Sequence, residues 1–546
     1  MSHPEIQNVA YDVAVVGFGP VGAIAANLLG QRGIHTIVID RTDQLFPLPR
    51  AIAFDHEIMR VFQNIGVADR IGEYIRPYPP SEYRGADGRV IARFDSQPPP
   101  YPFGWSPSYL FVQPPVENCI REAARSHESV SFILDSAVTG LVEDSALTGP
   151  AGDSSDDVVR LNLRSEDGRE STVAARYVMG CDGAGSTVRR SAGLELESLD
   201  FDEPWLVVDV MVEDEAALAR LPSTNIQYCE PSRPCTYVVG AGRHRRWELM
   251  LLPDEDPDRI DVRALINRLL ARWIDPSSVR LWRAAAYVFH ALIARSWRRG
   301  RVFILGDAAH QTPPFLAQGM CQGIRDAANL AWKIDFALDG RAGANLLDSY
   351  EIERAPHVRQ TTEIAKSFGR IICERDPAAA KHRDLRLRAE SGDPPRVTVR
   401  QDLIPPLKAG AIFGAEPAGR LFPQPRVIVA DGKSGLLDDF TGARMRLVVH
   451  GIRPDQIPAS ARALIERLGG VIVSVDLKIS SKISSEISAA KPSVIAVREF
   501  DGLLASWFTR YGASAAIVRP DHYVFGVSAD AGGIAALADS LESALG

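Results

Sequence analysis

Residues 301–334 read RVFILGDAAHQTPPFLAQGMCQGIRDAANLAWKI. An apolar strand stops at Gly306-Asp307, the chain crosses a turn holding Pro313 and Pro314, and a helix opens at Gly319. Met320, Ile324, Ala327, Ala331, Ile334 and Leu338 recur at helical spacing, so most of the helix is core and only its first turn is free for a ligand. A carboxylate at the strand end can accept bonds from a chain of hydroxyls. The unpaired N–H groups of the helix start favour an anionic group beside it.

Working outward, the N-terminal region repeats this plan. Asp12 to Val16 reads as a strand, Val21 to Leu29 as a small-residue helix and Thr36 to Ile39 as a second strand, which together make a βαβ unit. Gly17-Phe-Gly19-Pro-Val-Gly22 joins strand to helix, and Asp40 follows 18 residues after Gly22. Gly17 permits the tight turn, Gly19 lets a pyrophosphate approach the backbone, Gly22 allows close helix packing, and Asp40 can take a ribose hydroxyl. This predicts a dinucleotide site, with FAD and NAD equally open. A third motif, Cys181-Asp182-Gly183-Ala-Gly185-Ser-Thr-Val-Arg189, follows a strand at Tyr177 to Met179; alone it reads as a turn.

Composition sets outer limits. At 546 residues the chain holds roughly two to four domains. Its net charge of −8, with no Lys/Arg block, argues against nucleic acid or an anionic membrane and for a small substrate. Six cysteines without a Cys-x-x-Cys pair indicate neither a disulfide framework nor a zinc site and fit a reducing cytoplasm. No signal peptide or membrane span is read, and no metal is expected.

Strand-like alternation near 85–105 and 195–290 suggests an antiparallel sheet inserted into the nucleotide fold. The expected division is 1–85, 106–194 and 291–375 for the nucleotide domain, and 86–105 with 195–290 for the substrate sheet. A Pro-rich linker over 376–405 and an α/β unit over 406–546 complete it. Residues 144–157 read as a solvated acidic loop, and Lys478 to Glu486 as a brief low-complexity repeat.

The glycine fingerprint, Asp-Gly turn and Gly-Asp turn in this order resemble the group A flavoprotein aromatic hydroxylases, the family of p-hydroxybenzoate and phenol hydroxylases. The resemblance covers essentially the whole chain. GDAAHQTPPF, QGMCQGIRDAANLAWK and RRWELMLLP at 245–253 look most like the branch of 3-(3-hydroxyphenyl)propionate hydroxylases. It implies an α/β, Rossmann-like FAD fold with an inserted antiparallel-sheet substrate domain and a thioredoxin-like C-terminal domain. It also implies FAD as cofactor, NADH or NADPH as transient reductant and O2 as co-substrate. A phenolic acid would be hydroxylated ortho to its hydroxyl through a C4a-hydroperoxyflavin.

Residue by residue, the resemblance implies that Asp40 and Arg41 hold the adenosine end and that Arg50 lies by the pyrophosphate and the reductant's path. Gln113 would touch the middle of the flavin nucleotide, Asp182 both nucleotides, and Asp307 the ribityl chain. Gly319 and Met320 would face the N1–C2=O edge, and the Pro314 carbonyl would border the reacting carbon. Ala317 departs from the usual glycine and Cys321 from asparagine. The C-terminal unit has no cysteine after Cys373, so packing or homodimerisation is its expected role.

A phenol titrates near ~10 in water, so the site needs a base or donor network. Tyr228, Tyr237, His290 and His310 are the candidates read for this role. Arg233, Arg243, Arg245 and Arg246 are candidates for a substrate carboxylate, and His244 reads as surface. Alternatives are a larger phenolic or polyketide substrate, a flavin-dependent halogenase, for which the Trp-x-Trp pair is missing, and a non-catalytic FAD-binding protein.

Overall fold

The computed structural model describes residues 11–142, 158–255, 262–475 and 494–546. The acidic loop over 144–157 and the repeat at 478–486 lie outside the described residues.

The N-terminal core is a sheet in the order 298–299, 302–304, 170–180, 11–16, 36–39, 130–133. Tyr11–Val16, Thr36–Ile39, Val130–Ile133, Glu170–Gly180 and Val302–Ile304 pair in parallel, and Arg298–Arg299 joins the edge antiparallel to Val302–Ile304. The 36–39 and 302–304 strands are buried apolar runs, as parallel strands covered on both faces must be. Helices Pro20–Gly30 and Gly319–Leu338 pack side by side against this sheet. Their close approach depends on glycine: a Cβ on Gly323 would lie 2.5 Å from Val21 Cγ2 and 2.9 Å from Gly306 Cα.

The insert forms a second sheet, ordered 310–311, 279–294, 196–212, 244–250, 235–239, 225–228, 81–84, 90–95, 397–399. Its outer face carries Val208, Val210, Tyr237 and Trp247 against helices Glu215–Arg220 and Val262–Leu270. Its inner face turns toward the nucleotide domain.

Two expectations need correction. The insert is mixed, because Ser81–Arg84 joins Asn225–Tyr228 in parallel and Val397–Val399 joins Val90–Asp95 in parallel. The stretch 376–405 is no mere linker: Asp376 caps a helix over Pro377–Ser391, and Val397–Val399 is the sheet's edge strand. Pro377 stands in the first turn of that helix, where a proline is compatible with the helix. Arg383 then anchors this helix by donating to the carbonyls of Ile371 and Cys229 at 2.8 Å each.

The C-terminal sheet is ordered 434–436, 426–429, 494–499, 471–475, 446–450, 515–518, 524–528. Strands 446–450, 471–475 and 494–499 run parallel, 515–518 and 524–528 form an antiparallel hairpin, and helix Ile534–Leu545 follows. This is a thioredoxin-like α/β arrangement. All six cysteines of the chain are free thiols.

Buried ion pairs fasten this unit to the nucleotide domain. Arg60 donates to Asp438 at 2.5 Å, and Arg519 donates to Glu353 at 2.7 Å and to Asp521 at 2.5 Å. Pairing compensates much of the desolvation that charges suffer when buried. Among the described residues, no helix is long and apolar enough to cross a membrane.

Candidate active site

One cavity of about 970 Å³ runs from the glycine fingerprint to the inner face of the inserted sheet. Gly17, Gly19, Asp40, Arg41, Arg50, Gln113, Asp182, Asp307, Pro314, Gly319 and Met320 all line it. The three motifs, separated by more than a hundred residues in sequence, therefore meet in one space.

The backbone explains the glycines. Gly17 sits at φ +100°, where a Cβ would also be 2.4 Å from the Cys181 carbonyl oxygen. A Cβ on Gly22 would overlap the Gly17 carbonyl at 1.8 Å, so Gly22 serves packing and lies outside the cavity lining. Gly19 faces open space, with nothing within 4 Å of its Cβ position. That opening matches a pyrophosphate-sized group against the backbone.

Asp40 accepts from Phe18 N at 2.5 Å and Thr42 N at 3.0 Å, which orients its carboxylate at the mouth. Gln113 accepts from the amides of Arg50 and Ala51 at 2.9 and 2.7 Å and donates to Glu117 at 3.0 Å. Its side chain thus shapes the loop that presents Arg50. The Arg50 guanidinium lies 4.2 Å over the Phe46 ring. Asp182 accepts from Ser186 Oγ and from the Thr187 and Val188 amides, holding the turn whose glycines 183 and 185 border the cavity.

Asp307 differs. Among the described residues its carboxylate accepts no hydrogen bond from the protein, and its side chain is exposed to the cavity it lines. Enclosure within the protein pushes its carboxyl above the usual range, against the pull of His310 and Arg50. A hydroxyl chain supplies the donors this carboxylate lacks. The FAD ribityl chain is such a chain, so these residues fit the cofactor.

Helix Gly319–Leu338 begins at the cavity, and the N–H groups of Gly319 and Met320 have no intrahelical acceptor. Behind them, Arg325 donates to Gln318 at 2.9 Å, to Asp55 at 2.6 Å and to Glu57 at 2.5 Å. Tyr523 of the C-terminal unit donates to Glu57 at 2.8 Å. The helix start is thereby fixed from two domains. Ala317, just before it, adopts φ +54°, the left-handed region that glycine enters without strain.

The candidates read for substrate contact fare differently. Tyr237 is buried on the outer face, donates to the Pro222 carbonyl at 3.0 Å, and burial pushes its phenol up to about 12. His290 is half-exposed and pairs with Asp202 at 2.5 Å, while Arg233 pairs with Glu255 at 2.7 Å. Neither lines the cavity. Tyr228 lies in the outer-face core, Arg243 pairs with Glu215, and Arg245 donates to the Gly242 and His244 carbonyls. His310 is buried against Asp326 at 2.8 Å, and His244, read as surface, is buried against Asp209 at 2.7 Å.

The physical reason is a strand period of two. Residues 245, 247 and 237 face outward, whereas Arg246, Glu248, Thr236, Val238 and Gln227 line the cavity. Arg246 is the one candidate arginine there, and it is committed: it donates to Asp209 at 2.7 Å and to the Arg50 carbonyl at 2.9 Å. Arg283 donates to the Pro49 carbonyl at 2.7 Å beside it, so the pair clasps the loop bearing Arg50 to the sheet. Sequence reading missed Glu248, Thr236, Gln227 and Arg400, all in the lining. Strand 244–250 is buried on both faces, so alternation held no signal for which face met the cavity.

A glycine cradle for a dinucleotide, an open carboxylate for a hydroxyl chain and a closing sheet define a flavin-type oxidoreductase site. The family profile described as FAD binding domain matches residues 10–365, and that described as HcaD C-terminal domain matches residues 419–544. A probable NADH-specific resorcinol 4-hydroxylase of Rhodococcus jostii is 35% identical over 98% of this chain and 95% of its own. A 3-(3-hydroxy-phenyl)propionate/3-hydroxycinnamic acid hydroxylase of Burkholderia cenocepacia is 32% identical over 97% and 96%. The chain belongs to the FAD-binding-domain family and is an FAD-dependent aromatic hydroxylase that draws on a nicotinamide reductant and O2. The solved flavin-dependent monooxygenase PieE shares the fold at TM-score 0.76 and 21% identity, covering 98% of this chain and 99% of its own.

Proposed function

We propose that the protein hydroxylates a small meta-substituted phenol ortho to its hydroxyl group, 3-(3-hydroxyphenyl)propionate being the reference substrate. The observation that carries this reading is the continuity of the cavity: it joins the cradle at Gly19 to the polar row on the inserted sheet. Resorcinol and 3-(3-hydroxyphenyl)propionate, named for the two relatives, are both meta-substituted phenols.

In this reading the Gly19 backbone meets the pyrophosphate, Asp40 and Arg41 the adenosine end, and Asp307 the ribityl chain. The amides of Gly319 and Met320 at the helix start would hold the flavin ring, and the positive helix end would favour its anionic form. FAD held there would supply the chemistry that activates O2 for insertion into the ring. The Pro314 carbonyl would lie beside the reacting centre of that group. Arg50, held by Gln113 and clasped through Arg246, guards the approach of NADH or NADPH. The inserted sheet excludes water from the ring.

The reading includes a cytoplasmic location, consistent with six free thiols, and a homodimer, which sedimentation velocity tests. Anaerobic stopped-flow reduction by NADH and NADPH across a phenol panel, with catechol and peroxide both quantified, tests the activity. Faster reduction with a phenol and catechol formation are expected. Reduction yielding peroxide alone with every phenol would contradict the substrate class.

A further inference from the structure

Of the five carboxylates lining the cavity, Asp40, Glu117, Asp182 and Asp307 belong to the nucleotide domain; Glu248 alone belongs to the inserted sheet. It sits on strand His244–Met250, opposite Thr236 and one strand further from Gln227. Thr236 Oγ1 donates to Gln227 Oε1 at 2.6 Å, so these neighbours form a fixed polar row. Among the described residues, no donor reaches the Glu248 carboxylate within hydrogen-bond distance. The nearest cation, Arg246 Nη1, stands at 3.8 Å and donates elsewhere. A buried carboxylate without a donor, turned into a ligand cavity, is costly to the fold unless the ligand supplies the donor.

Other titratable groups of the sheet's inner face do not serve. Burial pushes the Tyr83 phenol far up, and Arg246 is committed to Asp209. Resting on the hydroxylase reading above, we propose that Glu248 is the catalytic residue that receives the hydroxyl proton of the phenolic substrate, with Thr236 and Gln227 flanking that hydroxyl. The phenol O–H bond breaks, an Oε–H bond forms on Glu248, and the electron pair stays on the phenolate oxygen, where it activates the ring for attack at the ortho carbon. The end of the substrate held by the sheet is therefore a neutral hydroxyl, since a carboxylate there would face Glu248 without a free cation.

Burial raises the Glu248 carboxyl to about 7, against the opposing pull of Arg246. The charged and titratable groups around it are Arg246, Asp209 and Arg283, with Cys235 on the adjoining strand. A base of this strength is matched to work near neutrality. Its ionised form accepts the proton, so hydroxylation should rise with pH through about 7.

The test compares holoenzyme wild type, Glu248→Gln and Glu248→Asp, measuring kcat/KM for catechol formation from pH 5.5 to 9 with FAD content and NADH reduction as controls. Expected are full FAD content in all three, a loss of at least about 100-fold in Glu248→Gln, partial recovery in Glu248→Asp, and disappearance of the limb near pH 7. A second readout needs no turnover: a nitrophenol bound to wild type should change from neutral-phenol to phenolate absorbance as pH rises through about 7, and in Glu248→Gln that change should be absent or displaced to higher pH. A Glu248→Gln enzyme within threefold of wild type at every pH, or one retaining the same limb, overturns the proposal while leaving the hydroxylase reading intact. Failure of the wild type to hydroxylate any phenol overturns both.

Discussion

The two ends of the cavity obey different rules. At the nucleotide end the chemistry is done by backbone: Gly17, Gly19 and Gly319 matter because of where their N–H groups and missing side chains leave room. At the sheet end it is done by side chains, and whether a side chain counts depends on the parity of its strand. A backbone site writes itself into sequence as glycines at fixed offsets. A side-chain site on a strand buried on both faces leaves no such mark.

Substitutions should separate the two ends. The largest effect is expected from Gly19→Val, whose side chain would enter the open cradle without meeting protein: the chain should fold, with unchanged circular dichroism, yet purify without FAD. Asp307→Ala should weaken FAD retention by about 10- to 100-fold in a fluorescence titration, since it removes one charged acceptor from the cavity lining. Full flavin occupancy in either variant would break the account of the nucleotide end.

Parity gives a sharper contrast. Thr236→Val, on the inner face, should lower hydroxylation kcat/KM by about tenfold, a loss of ~1.4 kcal/mol. Tyr237→Phe, one residue away on the outer face, should leave kcat/KM within about twofold and cost only ~1 kcal/mol of stability through its bond to Pro222. The reverse ranking would mean that the other face of the strand meets the substrate.

Stability offers a smaller signal. Because burial raises the Glu248 carboxyl from its ordinary value to about 7, its stabilising contribution is complete below the unfolded-state value and is lost as pH rises through about 7. Glu248→Gln should therefore raise the melting temperature at pH 8 by about 1–3 °C relative to wild type, and less at pH 5. The smallest effect belongs to Ala317→Gly, which relieves the left-handed strain at φ +54° and should leave FAD retention equal or slightly better.

Legibility in the sequence followed the same divide. The βαβ opening, the order of the three motifs and the start of the helix at Gly319 were readable because turn geometry restricts which residues can stand there. The helix over Pro377–Ser391 was not, because a proline at a helix start reads the same as a proline in a linker until Asp376 is seen to cap it. Tyr237 and Arg245 were plausible by residue type and wrong by one residue of register. The partners of Arg60 and Glu57, Asp438 and Tyr523, lie 378 and 466 residues away. No local pattern encodes such pairs, so the bracing of the Gly319 helix by the C-terminal unit had to be seen.

A crystal structure of the protein with FAD and a phenol tests the central claim most directly. The account predicts the pyrophosphate on the Gly19 backbone, the flavin edge at the Gly319 and Met320 amides, and the phenol oxygen within hydrogen-bond distance of Glu248. A phenol bound against the face carrying Tyr237, or a flavin that leaves Asp307 without a hydroxyl partner, would contradict it.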